Sequence, residues 1–272
     1  MAEGLKPPSS RTGGYSRARG RLPTPMVTAL NHAAAELLCG QSPAGWRWRS
    51  RVVKLGAGTG LSLPDTAENQ ARYPQPSSQA EGVGFPLMRL AGVIFLSTGA
   101  VLDVAMGPHA GKGSGELGLI RQLKQVLQAG DVFLADALYC NDFLIPRLQA
   151  RGVNILFEQN GSRITDFRRG ERLGAREHIV RWEKPKTPQE WTSPQEYRAF
   201  PPELMVREVK MGGRVLVTSM LNPRKAPKRE FGKLYKRRWN VELDFRNIKT
   251  TLGVEVLSCK ARSMCEKELW VH

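Results

Sequence analysis

The chain has 272 residues, of which 41% are hydrophobic and 24% are charged. These are the proportions of an ordinary globular protein, so they exclude a mainly disordered, collagen-like or coiled-coil chain. Lys and Arg outnumber Asp and Glu by 41 to 25, which gives a net charge of +16. Such an excess favours a polyanionic partner, either nucleic acid or an anionic membrane surface.

Targeting and metal-binding motifs are missing from the sequence. It contains no apolar run of about 18 residues, the length that a membrane-spanning helix needs. Residues 1–21 are rich in Gly, Ser, Arg and Pro and lack the apolar stretch of a secretory signal. The 4 cysteines are far apart, and no paired Cys or His spacing predicts a zinc finger. We therefore expect a cytoplasmic protein without a membrane partner.

The first part of the chain predicts a helix, a strand and a glycine turn. Residues 1–50 are interpreted as the remnant of an N-terminal region and a linker, with a short helix over about 26–38. The apolar run 52–55 predicts a strand. The glycine-rich run 56–60 that follows predicts a tight turn.

Residues 51–159 alternate between strand and helix patterns. Two apolar runs joined by Thr98 and Gly99 predict a β-hairpin. The elements expected after it are a helix over 114–128, a strand over 132–135 that ends in Asp136, a helix over 141–150 and a strand over 153–157. This alternation is typical of an α/β domain built on one sheet.

The pattern changes from residue 160 onward. Alternating strands are expected at 179–182, 205–209 and 214–218. We therefore interpret 160–221 as a β-rich insertion. Residues 222–272 begin with a long helical pattern from about Lys228 to Leu252, which Gly253 can cap.

This last helix is strongly basic. Ten basic and three acidic residues lie between Arg224 and Lys249. At about 100° per residue, Tyr235, Arg238, Glu242 and Lys249 fall on one face of the helix. Cationic side chains there suit phosphate groups, and a carboxylate suits a divalent metal ion. The same pattern also fits an ordinary amphipathic helix stabilised by ion pairs.

The spacing of those four residues, Tyr-x2-Arg-x3-Glu-x6-Lys, resembles the signature of the insertion-sequence-four family of bacterial transposases. The runs 238–251, 130–136 and 63–66 also resemble that family and follow in the same order. The similarity extends from about Gly14 to His272. Because the family layout is longer, the resemblance implies a chain truncated at both ends. The family belongs to the DDE group of transposases.

The resemblance implies an α/β fold with an RNase H-like mixed sheet flanked by helices. In such transposases three carboxylates hold two Mg²⁺ (or Mn²⁺) ions for in-line displacement at a phosphodiester. Asp136 matches the second catalytic acid and metal ligand, and Glu242 matches the third. Tyr235, Arg238 and Lys249 match residues that contact the DNA backbone. The implied partners are double-stranded DNA, as transposon ends and target, and a second copy in a homodimer.

The chain departs from the family at the first catalytic acid. The family has Asp-Gly-Thr there, and the alignment places Ala57 at that aspartate. An alanine cannot bind a cation, and Asp65 and Asp103 are poor substitutes because they belong to another motif and another strand. The family's Asp-Arg pair is replaced by Asp136 and Ala137. We therefore expect a DNA transposase fragment of a bacterial insertion sequence that is catalytically impaired.

Two other functions fit parts of the sequence. With Ala57 in place, the chain fits a non-catalytic DNA-binding remnant that retains its basic surface. The run 52–60 resembles the first motif of S-adenosylmethionine-dependent methyltransferases, in which a strand enters a glycine turn. That second resemblance is weaker, because Pro64 blocks the following helix and no acid ends a second strand about 20 residues on.

Overall fold

A computed structural model of the chain describes residues 13–80, 82–111, 113–189, 191–239 and 257–271. Nine strands within these ranges form one sheet: β1 Val53–Ser62, β2 Leu87–Phe95, β3 Val101–Pro108, β4 Val132–Ala135, β5 Asn154–Glu158, β6 Glu171–Gly174, β7 Glu177–Glu183, β8 Glu203–Met211 and β9 Arg214–Thr218. The helices are α1 Gly13–Arg21, α2 Thr24–Gly40, α3 Ala67–Arg72, α4 Glu116–Ile120, α5 Leu144–Ala150, α6 Pro194–Ala199, α7 described over 228–239, and α8 Arg262–Val271. Two 3₁₀ segments cover Ala44–Trp46 and Arg121–Val126.

The strand order is β3-β2-β1-β4-β5-β9-β8-β7-β6. Strand β2 pairs antiparallel with both β1 and β3, whereas β1, β4 and β5 run parallel to one another. All four residues of β4 are buried, as expected for a central parallel strand covered on both faces. The order 3-2-1-4-5 with these directions is the RNase H-like arrangement. The predicted α/β fold with a mixed sheet flanked by helices is therefore confirmed.

Strands β6 to β9 extend the same sheet beyond β5. Strand β9 pairs antiparallel with β5, and β8, β7 and β6 follow by further antiparallel pairing. The strands predicted at 179–182, 205–209 and 214–218 are present as β7, β8 and β9. The β-rich segment thus shares one hydrogen-bonded sheet with the first five strands, which fixes its position relative to β5.

Two apolar clusters cover the two faces of the sheet. On one face, α4 and α5 pack over Phe133 and Phe157. On the other face, α7 packs against Leu55, Leu134 and Leu156. Successive strand residues point to opposite faces, so residues two apart along a strand share a face. The residues two positions further along the chain are Ala57, Asp136 and Glu158. Their side chains are therefore expected on the same face of the sheet, the face that α7 covers.

The tight turn predicted at 56–60 is wrong. These residues form the middle of β1 and pair continuously with β2. A Cβ atom at Gly56 would come within 2.5 Å of the Phe133 ring. Glycine is therefore needed for the close approach of an aromatic ring to the strand and not for a turn. Because a methyltransferase motif requires that turn, the methyltransferase interpretation loses its structural basis.

Two predicted helices are shorter than their patterns. The helix expected over 114–128 contains α4 and then continues as a 3₁₀ segment, whose last carbonyl, on Val126, accepts a hydrogen bond from Lys54 Nζ at 2.5 Å. The helix expected over 141–150 begins at Leu144, and in the turn before it the Asn141 side chain accepts from the amide of Leu144 at 3.1 Å. None of the described helices combines the length and apolarity that crossing a bilayer requires.

Candidate functional site

The carboxyl end of β4 brings the positions matched to the first and second acids side by side. Leu55 pairs with Leu134 in the parallel register of β1 and β4. Continuing this register by two residues places Ala57 level with Asp136, which directly follows β4, and neighbouring strands lie about 4.8 Å apart. Strand alternation directs both side chains to the face that α7 covers. One of the two positions therefore carries a carboxylate and the other a methyl group.

Asp136 is partly exposed at the end of its strand. Its Oδ1 accepts a hydrogen bond from the amide of Leu138 at 2.8 Å, which closes a local turn. The amides nearest the start of α5 donate instead to the side chain of Asn141, from Phe143 and Leu144 at 2.9 and 3.1 Å. Capping of α5 therefore does not explain why an aspartate stands at position 136.

Glu158 is level with Asp136 on the next strand, because Ala135 pairs with Phe157 in the parallel register of β4 and β5. Its Oε2 accepts a hydrogen bond from the Tyr235 hydroxyl at 3.0 Å and forms a salt bridge with Arg214 at 2.6 Å. Glu158 therefore already has a cationic partner, and it fixes α7 to the end of β5. The sequence pattern gives no sign of this pairing.

Tyr235 and Arg238 are buried in the structure, with 4% and 5% of their surfaces exposed. The Arg238 guanidinium lies 5.2 Å from the centre of the Tyr235 ring and 5.2 Å from that of Trp239. Burial raises the pKa of Tyr235, and the charge and hydrogen bond of Glu158 raise it further, while Arg238 opposes the shift. Direct contact of these two side chains with DNA, as the resemblance implies, would require them to be uncovered.

A different set of α7 residues faces solvent. The exposed basic residues are Arg229, Lys233, Lys236 and Arg237. Their offsets of 4, 7 and 8 from the first place all four within about 100° of one another around the helix. We call this set the basic face of α7. Sequence reasoning missed it because attention to the Tyr-Arg-Glu-Lys spacing selected the opposite, packed side, although the periodicity of the four cations was available.

A second tyrosine–glutamate pair lies on the opposite face of the sheet. The Tyr139 hydroxyl donates a hydrogen bond to Glu116 Oε1 at 2.5 Å. Burial raises the pKa of Glu116, the hydrogen bond from Tyr139 opposes the shift, and the charge of Asp136 raises it further. The charge of Asp136 therefore raises the pKa of Glu116 and also the pKa of Tyr235, which lies on the other face of the sheet. Sequence reasoning missed Glu116, because its position after a glycine-rich loop does not indicate which distant residues its side chain contacts.

The two nearest acids in sequence are engaged elsewhere. Asp103 lies on β3, separated from β4 by two strands and hence by about 14 Å. Its Oδ1 lies 3.3 Å from His32 Nε2, and its Oδ2 accepts from Gln125 at 3.3 Å. Asp65 lies beyond the end of β1 and accepts from Gln70 at 2.8 Å. Neither carboxylate occupies the place beside Asp136, as expected from the sequence.

The remaining predicted site residues, Glu242 and Lys249, lie outside the described residues. Among the residues that the structure does describe, no group of three or more carboxylate, imidazole or thiol side chains could hold a metal ion. The described part of the site therefore contains Asp136, the alanine beside it, and one tyrosine–glutamate pair on each side.

Comparison with known proteins adds a family match. Residues 58–272 match the family model of a transposase DDE domain. The chain is 26% identical over 268 residues to the transposase InsG for insertion sequence element IS4 of Escherichia coli (strain K12). The aligned region covers 93% of this chain and 57% of that relative. The chain thus spans little more than half the length of the curated relative that it matches.

One solved structure has a weaker likeness to the chain. It is a piggyBac transposase synaptic complex with hairpin DNA, with a TM-score of 0.45 and 10% sequence identity. The match covers 80% of this chain and 45% of that one.

Proposed function

Because the chain belongs to the DDE transposase family, in its insertion-sequence-four branch, we propose that it acts on the DNA of a bacterial insertion sequence. The reaction would be metal-dependent hydrolysis and strand transfer at phosphodiester bonds, with double-stranded transposon ends and target DNA as substrates. A homodimer is the assembly proposed for it. The observation that carries the proposal is the register that sets Asp136 beside position 57 at the end of β4.

The residues present fit a divalent metal ion in donor chemistry. Mg²⁺ prefers oxygen ligands, and Asp136 is a partly exposed carboxylate whose charge also acts on the neighbouring Glu116. Asp136 and Glu242 are the residues that we propose hold the ion. A bound Mg²⁺ or Mn²⁺ would supply electrostatic stabilisation of the charge that develops on the reacting phosphate.

The other side chains would position the DNA and the helix. Glu158 binds the Tyr235 hydroxyl and so holds α7 against β5, ahead of Glu242 in the sequence. The basic face of α7 presents four exposed cations to the phosphate backbone. We therefore propose that Tyr235 and Arg238 act chiefly within the protein and that the exposed cations, together with Lys249, carry the contact with DNA.

Loss of the first acid predicts impaired catalysis. A site whose ligands act together loses orders of magnitude in rate when one is removed. The Ala57 methyl group contributes no oxygen at the place beside Asp136. We propose that the chain binds DNA while cleaving it slowly or not at all, which makes non-catalytic DNA binding the second candidate function, favoured by this alanine.

A nicking assay with a restored acid tests the proposal. The full chain and its Ala57→Asp variant are incubated with Mg²⁺ or Mn²⁺ and a duplex that carries the DNA flanking its gene. We expect binding by both proteins in a gel-shift assay and nicking that is at least about 100-fold faster in Ala57→Asp. Asp136→Asn in the Ala57→Asp background is the control and should abolish nicking. Nicking by the unaltered chain at the rate of Ala57→Asp would overturn the proposed impairment, and absence of DNA binding would overturn the function.

A further inference from the structure

Helix α2 presents a row of apolar side chains to solvent. Met26, Leu30 and Leu37 are 60%, 70% and 59% exposed, and Leu38 beside them is exposed as well. At about 100° per residue, the first three lie within about 40° of one another around the helix. An exposed alanine, Ala33, completes the heptad spacing of this row. We call Met26, Leu30, Ala33 and Leu37 the apolar row of α2.

The opposite side of α2 packs against the chain itself. Ala35 is buried, and His32 Nε2 lies 3.3 Å from Asp103 Oδ1 on β3. The His32 ring also meets the ring of Trp270 in α8 edge to face, with 5.6 Å between their centres. His32 and Ala35 are each about 140° or more from Leu30 around the helix. Because α2 is attached through that side, the apolar row is free to contact another molecule.

The charge of α2 sets it apart from the rest of the chain. Its 17 residues include no Lys or Arg and one acidic residue, Glu36, whereas the whole chain has a net charge of +16. Two copies of so basic a chain repel each other, and the repulsion is weakest where neither surface carries cations. DNA phosphates are not attracted to such a surface. A helix that binds an anionic membrane carries Lys or Arg along its own polar side, but the nearby arginines lie in α1.

The exposed apolar area of α2 suits an interface between two copies. The apolar row, Leu38 and the neighbouring alanines expose roughly 500 Å², near the upper end for the largest apolar patch on a monomer. Two such surfaces together bury about 1,000 Å², which is the lower limit for a specific protein interface. The area therefore fits a weak dimer.

The order of large and small side chains in the apolar row fits an antiparallel pair of helices. Across a two-fold axis in this orientation, Leu30 faces the partner's Ala33, and Met26 faces the partner's Leu37. Each of the two central layers then combines a large side chain with a small one, which lets the helices interdigitate. A parallel pair would instead set leucine against leucine and alanine against alanine, which leaves a gap at the alanines.

We propose that two copies of this chain associate through the apolar row of α2, as an antiparallel helix pair about a two-fold axis. The inference rests on the proposed function only for its homodimer, to which it assigns a surface. The association requires neither DNA nor a metal ion.

Sedimentation equilibrium of the full chain without DNA tests this inference. Concentrations from about 1 to about 100 μM cover the dissociation constant expected for an interface of this size. We expect Leu30→Gln with Leu37→Gln to raise the dissociation constant of the dimer at least about 10-fold, because both copies lose buried apolar side chains. The matched control is Val83→Gln with Ile164→Gln, at two apolar residues outside α2 that are more exposed than Leu30. It should change the dissociation constant less than about 2-fold.

Two complementary variants test the antiparallel register. Leu30→Lys and Ala33→Glu each set a charge against an apolar side chain of the partner, so each protein alone should dimerise at least about 10-fold more weakly than the parent chain. In an antiparallel mixed dimer, the introduced lysine faces the introduced glutamate. Mixing the two proteins should therefore restore much of the lost affinity. Restoration by mixing also shows that both variants are folded, as circular dichroism checks directly.

Three results would overturn the inference. They are a parent chain that stays monomeric at every concentration, an unchanged dissociation constant in Leu30→Gln with Leu37→Gln, and an equal loss of affinity in the control variant. Mixing without restoration would overturn the antiparallel register. A monomeric parent chain that binds vesicles of anionic phospholipid, and loses this binding in the double leucine variant, would assign the apolar row to a lipid surface instead.

These outcomes are separate from those of the nicking assay, since neither DNA nor metal ion is present. A dimer in which Ala57→Asp fails to nick DNA supports the surface on α2 while removing the proposed reaction. A monomer in which Ala57→Asp nicks DNA removes the surface while the proposed reaction stands.

Discussion

The hydroxyl of Tyr235 joins α7 to β5 across 77 residues of sequence. Its acceptor, Glu158, is held from its other side by Arg214. A tyrosine with a buried ring and a hydroxyl directed at a charged acceptor fixes both the depth and the rotation of its helix. Glu242, which we propose as the third acid, follows seven residues later in the sequence.

Tyr235→Phe should destabilise the protein by about 1.5 kcal/mol, since it removes a hydrogen bond to a charged group and leaves the ring in place. Glu158→Gln should also destabilise the protein, because it removes the charge that both Tyr235 and Arg214 contact, and the double variant should cost less than the sum, because both changes weaken the same hydrogen bond. Urea unfolding followed by circular dichroism measures all three. Tyr15→Phe, at a tyrosine that is 68% exposed, is the control and should change stability little.

The pH dependence of this contact follows from the raised pKa of Tyr235. Burial and Glu158 move the pKa above the ordinary tyrosine value of about 10. A group whose pKa is raised on folding contributes stability that is present below its unfolded pKa and is lost as the pH rises through the folded one. The cost of Tyr235→Phe should therefore stay constant from pH 6 to pH 9 (about one unit below that value). A cost that rises with pH within this range would show that folding lowers the pKa of the hydroxyl and does not raise it.

At the scale of the element, α7 has one apolar side that packs against the sheet and one basic side that faces solvent. Phe231, Leu234 and Tyr235 pack into the cluster beneath the helix. The basic face, defined above by its four exposed cations, points away from that cluster. An amphipathic helix of this kind can hold a site in place with one side and attract a polyanion with the other.

Neutralising part of the basic face should weaken DNA binding and its salt dependence. Lys233→Gln with Lys236→Gln should lower the affinity for a duplex about 10-fold near 100 mM salt and reduce the slope of log K against log salt by roughly 1 to 2. Fluorescence anisotropy at several salt concentrations gives both quantities. Lys124→Gln with Lys186→Gln removes the same charge from exposed positions elsewhere and is the matched control. Equal losses in the two double variants would mean that net charge alone, and not this helix, attracts DNA.

Apolar runs in the sequence were enough to predict β4, β5 and the hairpin of β2 and β3, because hydrophobic periodicity reflects burial directly. The run 56–60 was misread, since glycine is used both in turns and where a ring such as Phe133 packs against backbone. The resemblance marked Ala57 and Asp136, and the strand register places them together. The contacts of Glu116 and Glu158 could not be predicted, because their tyrosine partners lie on elements distant in the sequence. A local sequence pattern does not show which distant elements pack together.

At the scale of the whole molecule, Arg207 connects the strands beyond β5, which are β6 to β9, to α7. It is fully buried, and its Nε donates to Glu177 of β7 at 2.8 Å. One of its terminal nitrogens donates to the Ala226 carbonyl at 2.7 Å, just before α7 begins. The guanidinium also lies 5.1 Å from the centre of the Phe231 ring. A single side chain thus links β8, β7, the turn before α7 and the helix itself.

Arg207→Ala should destabilise the whole protein and not strands β6 to β9 alone. It leaves Glu177 as a buried charge without its guanidinium, which costs about 3 to 5 kcal/mol. In a chain of this size that corresponds to a fall of roughly 10 °C in the unfolding midpoint. Because the nine described strands share one hydrogen-bonded sheet, we expect a single calorimetric transition that moves as a whole.

The control for Arg207→Ala separates the ion pair from the packing around it. Arg207→Met with Glu177→Leu removes both charges while filling the space, and it should recover most of the lost stability, since replacing a buried pair by apolar side chains is often neutral. Arg181→Ala, which breaks an exposed pair with Glu203 at 3.4 Å, should cost less than about 1 kcal/mol. A second transition at lower temperature in Arg207→Ala would contradict unfolding of the whole sheet as one cooperative unit. It would mean that strands β6 to β9 unfold while β1 to β5, next to which Asp136 lies, stay folded.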